Sequence, residues 1–379
     1  MMVANYPRTT GYAWWLMDRF WGEITTMAHQ RGWRAEVVYP RDPCSGETAD
    51  GEAEGALRRI DAFLCRGALR DVPAALRALR REHVRSIYLT DRATRSWKYL
   101  VLRAGGVKSI VVHDHTPGDR PPIRGFKGLV KSLLNRLPFV TADVCVSVSP
   151  LMRRRQAVNA RLPDARCVTV TNGVIVRDPI PNARQALEAR YAIPGDAFVI
   201  AGIGRLNAYK RFDVAVRCLA ELRGGPEPVD ARLLLVGDGP DRGALEELAQ
   251  CLGVRDRVIL TGKVSDVWPI LCGVDCVHHP SRGEGLSLGI LEAMAAGQPL
   301  VVPDIPSVCQ TIESGKTGLV YADGDIAGAA EALRRLAGDP PVRRSLGSAA
   351  RHRVVEQYTL DRTLSEFREK VVLRLLPGS

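Results

Sequence analysis

The chain has 379 residues, 46% hydrophobic and 25% charged, with a formal net charge of +11. That length exceeds one ordinary core and predicts two domains of roughly 150–200 residues each, while the composition excludes a disordered or fibrous chain. No apolar run reaches the ~18 residues of a membrane span, and the first residues lack the apolar stretch and cleavage site of a signal peptide, so a cytosolic location is expected.

The first half alternates strand and helix signals. A short opening strand over residues 1–5 runs through Pro7 and Gly11 into an aromatic-rich helix over 14–29. Strands follow at 34–39, 84–89, 107–112, 143–148 and 167–170, with helical periodicity over 57–79. Near-continuous apolar strands separated by helices predict a parallel sheet covered on both faces. The segment 110–117 (IVVHDHTP) ends one strand with two histidines in its loop. Histidine donates or accepts a hydrogen bond near neutral pH, which makes His115 a candidate site residue; Asp114 is an orienter or a turn residue.

Positive charge is concentrated in this half. Between Arg58 and Lys108 there are thirteen Lys or Arg against four acids, and residues 120–136 add five cations and no acid. Phe126, Leu129, Val130, Leu133 and Leu134 lie between those last cations. The first reading is a helix packed on its own domain with a solvated basic face. The second is a contact with an anionic membrane surface, which would make the protein peripheral at the inner membrane face. Nucleic acid is the third and is not expected as a partner.

Prolines 179, 181 and 194 bracket a polar helix, and the linker is placed near residues 176–190. The strand–helix pattern then restarts, with strands at 198–202, 232–236, 258–260, 274–277, 300–302 and 318–320 and helices at 211–223 and 242–252. The expected domains are 1–178 and 179–358, with a last helix in 359–379 returning to the first. Two such units leave a cleft, and ligands of these sheets sit beyond the carboxyl ends of the strands.

Four segments of the second half carry chemistry. Residues 202–213 (GIGRLNAYKRFD) follow a strand and offer Gly204 for close backbone approach, with Arg205 and Lys210 to neutralise a diphosphate. This is not a Walker A loop, since no Gly-Lys-Ser/Thr stands at the required spacing. Gly237 in 233–240 (LLLVGDGP) either admits a ligand or simply turns the chain, and Val264 could pack on a base. The fourth segment, 281–300 (SRGEGLSLGILEAMAAGQPL), says most. A Gly-rich turn at Gly285 leads into a helix whose first amides and dipole favour an anion, with Leu286 and Ser287 placed to donate. Glu284 and Glu292 stand at its two ends. Carboxylates repel phosphate, so both suit sugar hydroxyls instead.

Nine cysteines show no framework, and Cys272 and Cys276 read as reduced thiols rather than zinc ligands. Asp323 and Asp325 form an Asp-x-Asp in an apparent surface turn, and no metal site is assigned.

Taken together, the chain resembles the family 4 retaining glycosyltransferases of the GT-B fold, in which two Rossmann-like domains face each other. The resemblance rests on Glu284-x7-Glu292 with Gly285-Leu-Ser between, on Gly204-Arg-Leu with Lys210, on 236–240 (VGDGP), and on Ser149-Pro followed by 172–174 (NGV). It implies that Arg205 and Lys210 bind the donor diphosphate, Glu292 the nucleotide ribose and Glu284 a donor-sugar hydroxyl. His115, in a His-Thr pair, would stand near the reacting sugar, and Gly11 would belong to a loop facing the diphosphate. Where the family often has Gly-Gly this chain has Thr10–Gly11, a stiffer version, and its first strand is short.

The implied reaction is retaining transfer of a hexosyl or N-acetylhexosaminyl unit to an acceptor hydroxyl, in glycan, glycolipid or natural-product glycoside biosynthesis. The donor is a nucleotide-sugar, UDP-linked before GDP-linked, with no tightly bound cofactor and no metal. No carboxylate is assigned as a covalent nucleophile, so a front-face route is expected. The rivals are a sugar-phosphate phosphorylase or nucleotide-sugar epimerase, and a non-catalytic basic protein binding anionic glycans or nucleic acid. The acceptor is not legible.

Overall fold

The apolar runs become two six-stranded sheets in which every strand pairing is parallel. The computed structural model describes residues 1–4, 14–39, 52–118, 122–225 and 227–376. Pro7, Thr10, Gly11, Cys44 and Arg120 lie outside them. The chain separates into one unit of Met1–Asn172 with Asp361–Ser379 and a second of Gly173–Leu360. The divisions fall at 172/173 and 360/361, where the sequence reading put 178/179 and 358/359.

The first sheet runs β2 (Val37–Val38), β1 (Met2–Val3), β3 (Ser86–Thr90), β4 (Ser109–Asp114), β5 (Val144–Ser147) and β6 (Cys167–Thr169). Every residue of β3 and β4 is buried, as parallel strands covered on both faces must be. Ile87, Leu89, Ile110 and Val112 pack with Ile60, Leu79 and Leu102 in one apolar cluster. The chain's end belongs here too. The hydroxyls of Ser86 and Ser109 donate to the carbonyls of Leu375 (2.6 Å) and Arg374 (3.0 Å), and the Phe367 and Phe20 rings meet at 4.4 Å.

The expected helix over 57–79 is in fact two, Glu52–Arg66 and Val72–Arg81, joined by a short 3-10 turn. The break falls at Gly67, where an added Cβ would lie 2.5 Å from the Phe63 ring.

The second sheet runs β12 (Gly318–Tyr321), β11 (Leu300–Pro303), β10 (Cys276–His278), β7 (Phe198–Ile203), β8 (Ala231–Val236) and β9 (Val258–Gly262). Leu219, Leu222, Leu233, Leu235, Leu333 and Leu336 are the heart of its core, each worth ~1.5–3 kcal/mol of burial. The chain leaves β7 toward β8 on one side, while β10 pairs with β7 on the other. Such a reversal opens a crevice outside the strands' carboxyl ends.

The polar helix expected between the prolines forms as Ala183–Tyr191 and overlaps the residues assigned to the linker. Its Arg184 reaches the Asp275 carboxylate at 2.8 Å and Glu188 at 2.6 Å, tying polar residues that read as linker onto the second sheet.

Candidate functional site

In the second unit the crevice is built from two loops, one after β7 and one after β10. The Tyr209 carbonyl of the first accepts the Arg282 amide (3.0 Å) and the Ser281 hydroxyl (3.4 Å) of the second. The turn is closed by Asn207, whose carbonyl and side-chain oxygen accept the Lys210 amide at 3.0 and 3.1 Å. Gly204 and Gly237 both take positive φ, +148° and +141°, and a Cβ on Gly237 would collide with the Gly204 carbonyl. Gly237 therefore packs one strand-end loop against the other.

Lys210 Nζ stands 2.7 Å from Glu284 Oε1, and His279 Nε2 stands 2.8 Å from the same oxygen. The Glu284 amide donates to Ser307 Oγ at 3.3 Å. Burial alone would raise the Glu284 pKa, but the Lys210 charge and the His279 contacts overcome it and hold the acid at about 2. Glu284 is thus a carboxylate, and the His279 ring must donate to it. Burial lowers the His279 pKa although Glu284 pulls the other way. His279 and Ser307 were not singled out from sequence. The signal available was the His278–His279 pair at a strand end, where alternation sends one ring to each face. His278 indeed turns the other way, to the Tyr321 hydroxyl at 3.1 Å.

The helix after this loop spans Leu288–Ala295, starting later than the turn at Gly285 suggested, because Ser287 is its N-cap and accepts the Ile290 amide. Gly297, at φ +75°, follows its end. Glu292 on this helix has a buried Oε2 with no hydrogen-bond partner, and burial raises its pKa to about 8. A buried unpaired polar atom costs roughly 1–3 kcal/mol, which donors from a ligand would recover. Arg205 is exposed and Val264 half-buried in the loop after β9. The structure therefore joins Lys210 and Glu284 directly, and places Gly204, Arg205, Gly285, Leu286 and Ser287 in the same pair of loops or at their edge.

The Asp-x-Asp has structural work. Asp323 pairs with Arg211 at 2.7 Å, and Asp325 caps the helix Ile326–Gly338 by accepting the Gly328 amide. Among the described residues no group of three or more His, Cys, Asp or Glu could hold a metal ion.

His115 belongs to the first unit. Its amide donates to Asp91 Oδ1 at 2.6 Å, and both ring nitrogens are buried without a hydrogen-bond partner. Its ring lies 4.1 Å from that of His113, centroid to centroid. His113 Nδ1 stands 2.5 Å from the Tyr88 hydroxyl; burial and the neighbouring His115 push its pKa well down. Asp114 holds this loop in place. Its Oδ2 takes Arg155 (2.9 Å) and Gln156 (2.5 Å), and its Oδ1 takes the Thr116 amide (3.0 Å). Arg155 also donates to the Thr116 (3.0 Å) and Gly118 (2.5 Å) carbonyls. Beside this cluster a cavity of about 400 Å³ is lined by Arg92, Thr94, Arg95, Lys131, Asn135 and Gln156, among others.

Two family descriptions match the chain, "Glycosyltransferase Family 4" over residues 17–177 and "Glycosyl transferases group 1" over 197–339. A lipopolysaccharide core biosynthesis glycosyltransferase of Rhizobium meliloti is 32% identical over 263 residues, 68% of this chain and 69% of that protein. N-acetyl-alpha-D-glucosaminyl L-malate synthase of Bacillus anthracis is 30% identical over 205 residues, 54% of this chain and 53% of its own. The match thus spans about half the length of that relative. An Anabaena protein solved with UDP-glucose superposes with a TM-score of 0.70 at 17% identity, over 98% of both chains; it shares the fold of two Rossmann-like domains.

Proposed function

The chain belongs to the family 4 glycosyltransferases, and from that premise we propose that it transfers a glycosyl unit from a nucleotide-sugar to an acceptor hydroxyl with retention at the anomeric carbon. The observation that carries the reading is the meeting of Lys210, Glu284 and His279 beyond the ends of β7 and β10. A cation and an acceptor held together at a parallel-sheet switch point suit a diphosphate joined to a sugar.

In this proposal Arg205 and Lys210 take the diphosphate. An ammonium has three donors, so Lys210 can hold Glu284 and a phosphate oxygen together. The Leu286 and Ser287 amides at the start of the Leu288–Ala295 helix add donors for the anion. Glu284, kept ionised by Lys210, accepts from a sugar hydroxyl, and His279 fixes its orientation. Glu292 accepts from the ribose hydroxyls, which answers its unpaired oxygen. Val264 packs on the base, and Gly204 allows the backbone to approach. His115 is proposed to position the transferred sugar, and Gly11 to belong to the diphosphate-facing loop. The bond from the anomeric carbon to the diphosphate oxygen breaks, and the bond to the acceptor oxygen forms. The acceptor proton passes to the leaving diphosphate, whose charge Arg205, Lys210 and the helix dipole stabilise.

UDP is the favoured nucleotide, supported by the UDP-glucose bound in the Anabaena neighbour; the transferred unit is a hexose or N-acetylhexosamine. The polar end of the acceptor is assigned to the 400 Å³ cavity of the first unit, whose Asn135 Oδ1 is buried and unpaired. A panel of UDP- and GDP-sugars, read by mass spectrometry for nucleotide release with and without acceptor glycosides, tests the reading. Release of UDP with a glycoside product is expected. Isomerised donor with no transfer would favour an epimerase, and binding without any turnover a non-catalytic protein.

A further inference from the structure

We propose that the helix Gly125–Arg136 and the turn after it form a docking face for an anionic lipid bilayer. An amphipathic helix of a soluble domain ordinarily buries its apolar stripe and exposes its polar one. This helix is mounted the other way round. Phe126, Leu129 and Leu133, which share a stripe at 3.6 residues per turn, are 79%, 58% and 55% exposed. Leu137 and Phe139 just beyond the helix are 45% and 59% exposed.

The side turned inward is small and polar. Gly128 and Asn135 are the buried residues, and a Cβ on Gly128 would collide with the Ile123 carbonyl. Asn135 Nδ2 donates to the Ala160 carbonyl at 2.7 Å. The helix is therefore fixed to its unit by the face that a solvated helix would show to water. The helix does pack on its own unit with exposed cations, as the first reading from sequence had it, but its apolar stripe is exposed beside them.

The occupant follows from the charges around the stripe. Arg124, Lys127, Lys131 and Arg136 lie on this segment, and residues 122–139 contain no acid. By helical geometry Lys127 flanks the apolar stripe on one side and Arg136 on the other. An apolar stripe bordered by cations matches the acyl boundary and anionic headgroups of a bilayer surface. A patch on a protein partner would need matching acids and a matching groove. No helix among the described residues is long and apolar enough to cross a membrane, so the contact is interfacial. The inference goes beyond the glycosyl-transfer reading and does not depend on it.

The test is co-sedimentation of the full chain with vesicles of phosphatidylglycerol and phosphatidylcholine, compared with phosphatidylcholine alone. Binding at least about tenfold tighter to the anionic vesicles is expected, falling in 0.5 M salt, since each cation near the surface contributes. Phe126→Ser/Leu133→Ser changes only exposed side chains and should weaken binding by more than about tenfold, with the thermal transition and UDP affinity unchanged. Lys127→Glu/Arg136→Glu should remove the preference for anionic lipid. Equal sedimentation with both vesicle types, or vesicle binding by both double variants equal to the unsubstituted chain, would overturn the proposal. So would a dimer in size-exclusion chromatography that Phe126→Ser/Leu133→Ser dissociates, since the face would then be covered by a second copy. Lys210→Ala separates the two readings, for it should lose turnover and keep vesicle binding.

Discussion

The two units carry the same parallel architecture and end their central strands in charged loops, yet they treat those charges differently. In the first, Asp114 is saturated by Arg155, Gln156 and Thr116, all within one local framework. In the second, Glu284 holds a cation and a histidine on a single oxygen, and Glu292 keeps a buried oxygen without a partner. A saturated polar network fixes a loop; an incompletely paired one is where a ligand's hydroxyls and phosphates can contribute binding energy.

Glu284→Ala should give the largest effect. It strips the partner from Lys210 and from buried His279, and truncating one member of a buried charged pair costs about 2–5 kcal/mol. Nucleotide-sugar turnover should fall on the order of a hundredfold or more, while circular dichroism shows an intact fold. Arg155→Ala attacks the framework instead. Asp114 would stay buried without its cation, at about 3–5 kcal/mol. Differential scanning calorimetry should show a large loss of stability, and UDP affinity should be nearly unchanged. If Arg155→Ala weakened UDP binding as much as Glu284→Ala, the contrast between framework and site would fail.

Glu292 sharpens the comparison through pH. Its folded pKa of about 8 exceeds the ordinary 4.5, so the native state binds more protons and this group's contribution to stability falls as pH rises from 4.5 through 8. A ligand whose hydroxyls donate to the carboxylate binds the ionised form. UDP-glucose affinity should therefore rise on the order of tenfold between pH 6.5 and 8.5. Calorimetry should detect proton release on binding. Glu292→Gln should flatten both profiles, and an unchanged pH profile in that variant would remove Glu292 from the site. The smallest effect belongs to Ser287→Ala, which deletes the helix cap at a cost of about 1 kcal/mol, read as a small drop in melting temperature.

Much of the fold was legible because parallel strands buried on both faces carry near-continuous apolar runs, as β7 does along its whole length and β3 and β4 do at their centres, residues 87–89 and 110–112. What escaped depended on single contacts. The 57–79 segment keeps helical periodicity across Gly67, yet the chain divides there into two helices joined by a 3-10 turn. The polar helix Ala183–Tyr191 was legible, but its attachment to the sheet was not, because it runs through Arg184 and Asp275, far apart in sequence. At the site, Glu284 and Lys210 were identifiable by segment, whereas their direct pairing and the part of His279 are tertiary facts. The basic apolar segment was visible, but which face it buries was decided by Gly128 and Asn135.

The most direct test of the central claim, that a nucleotide-sugar diphosphate is held where the β7 and β10 loops meet, is steady-state turnover of Lys210→Ala with its preferred donor. The account predicts loss of most activity in a variant that melts like the unsubstituted chain. A well-folded Lys210→Ala with undiminished turnover would contradict it.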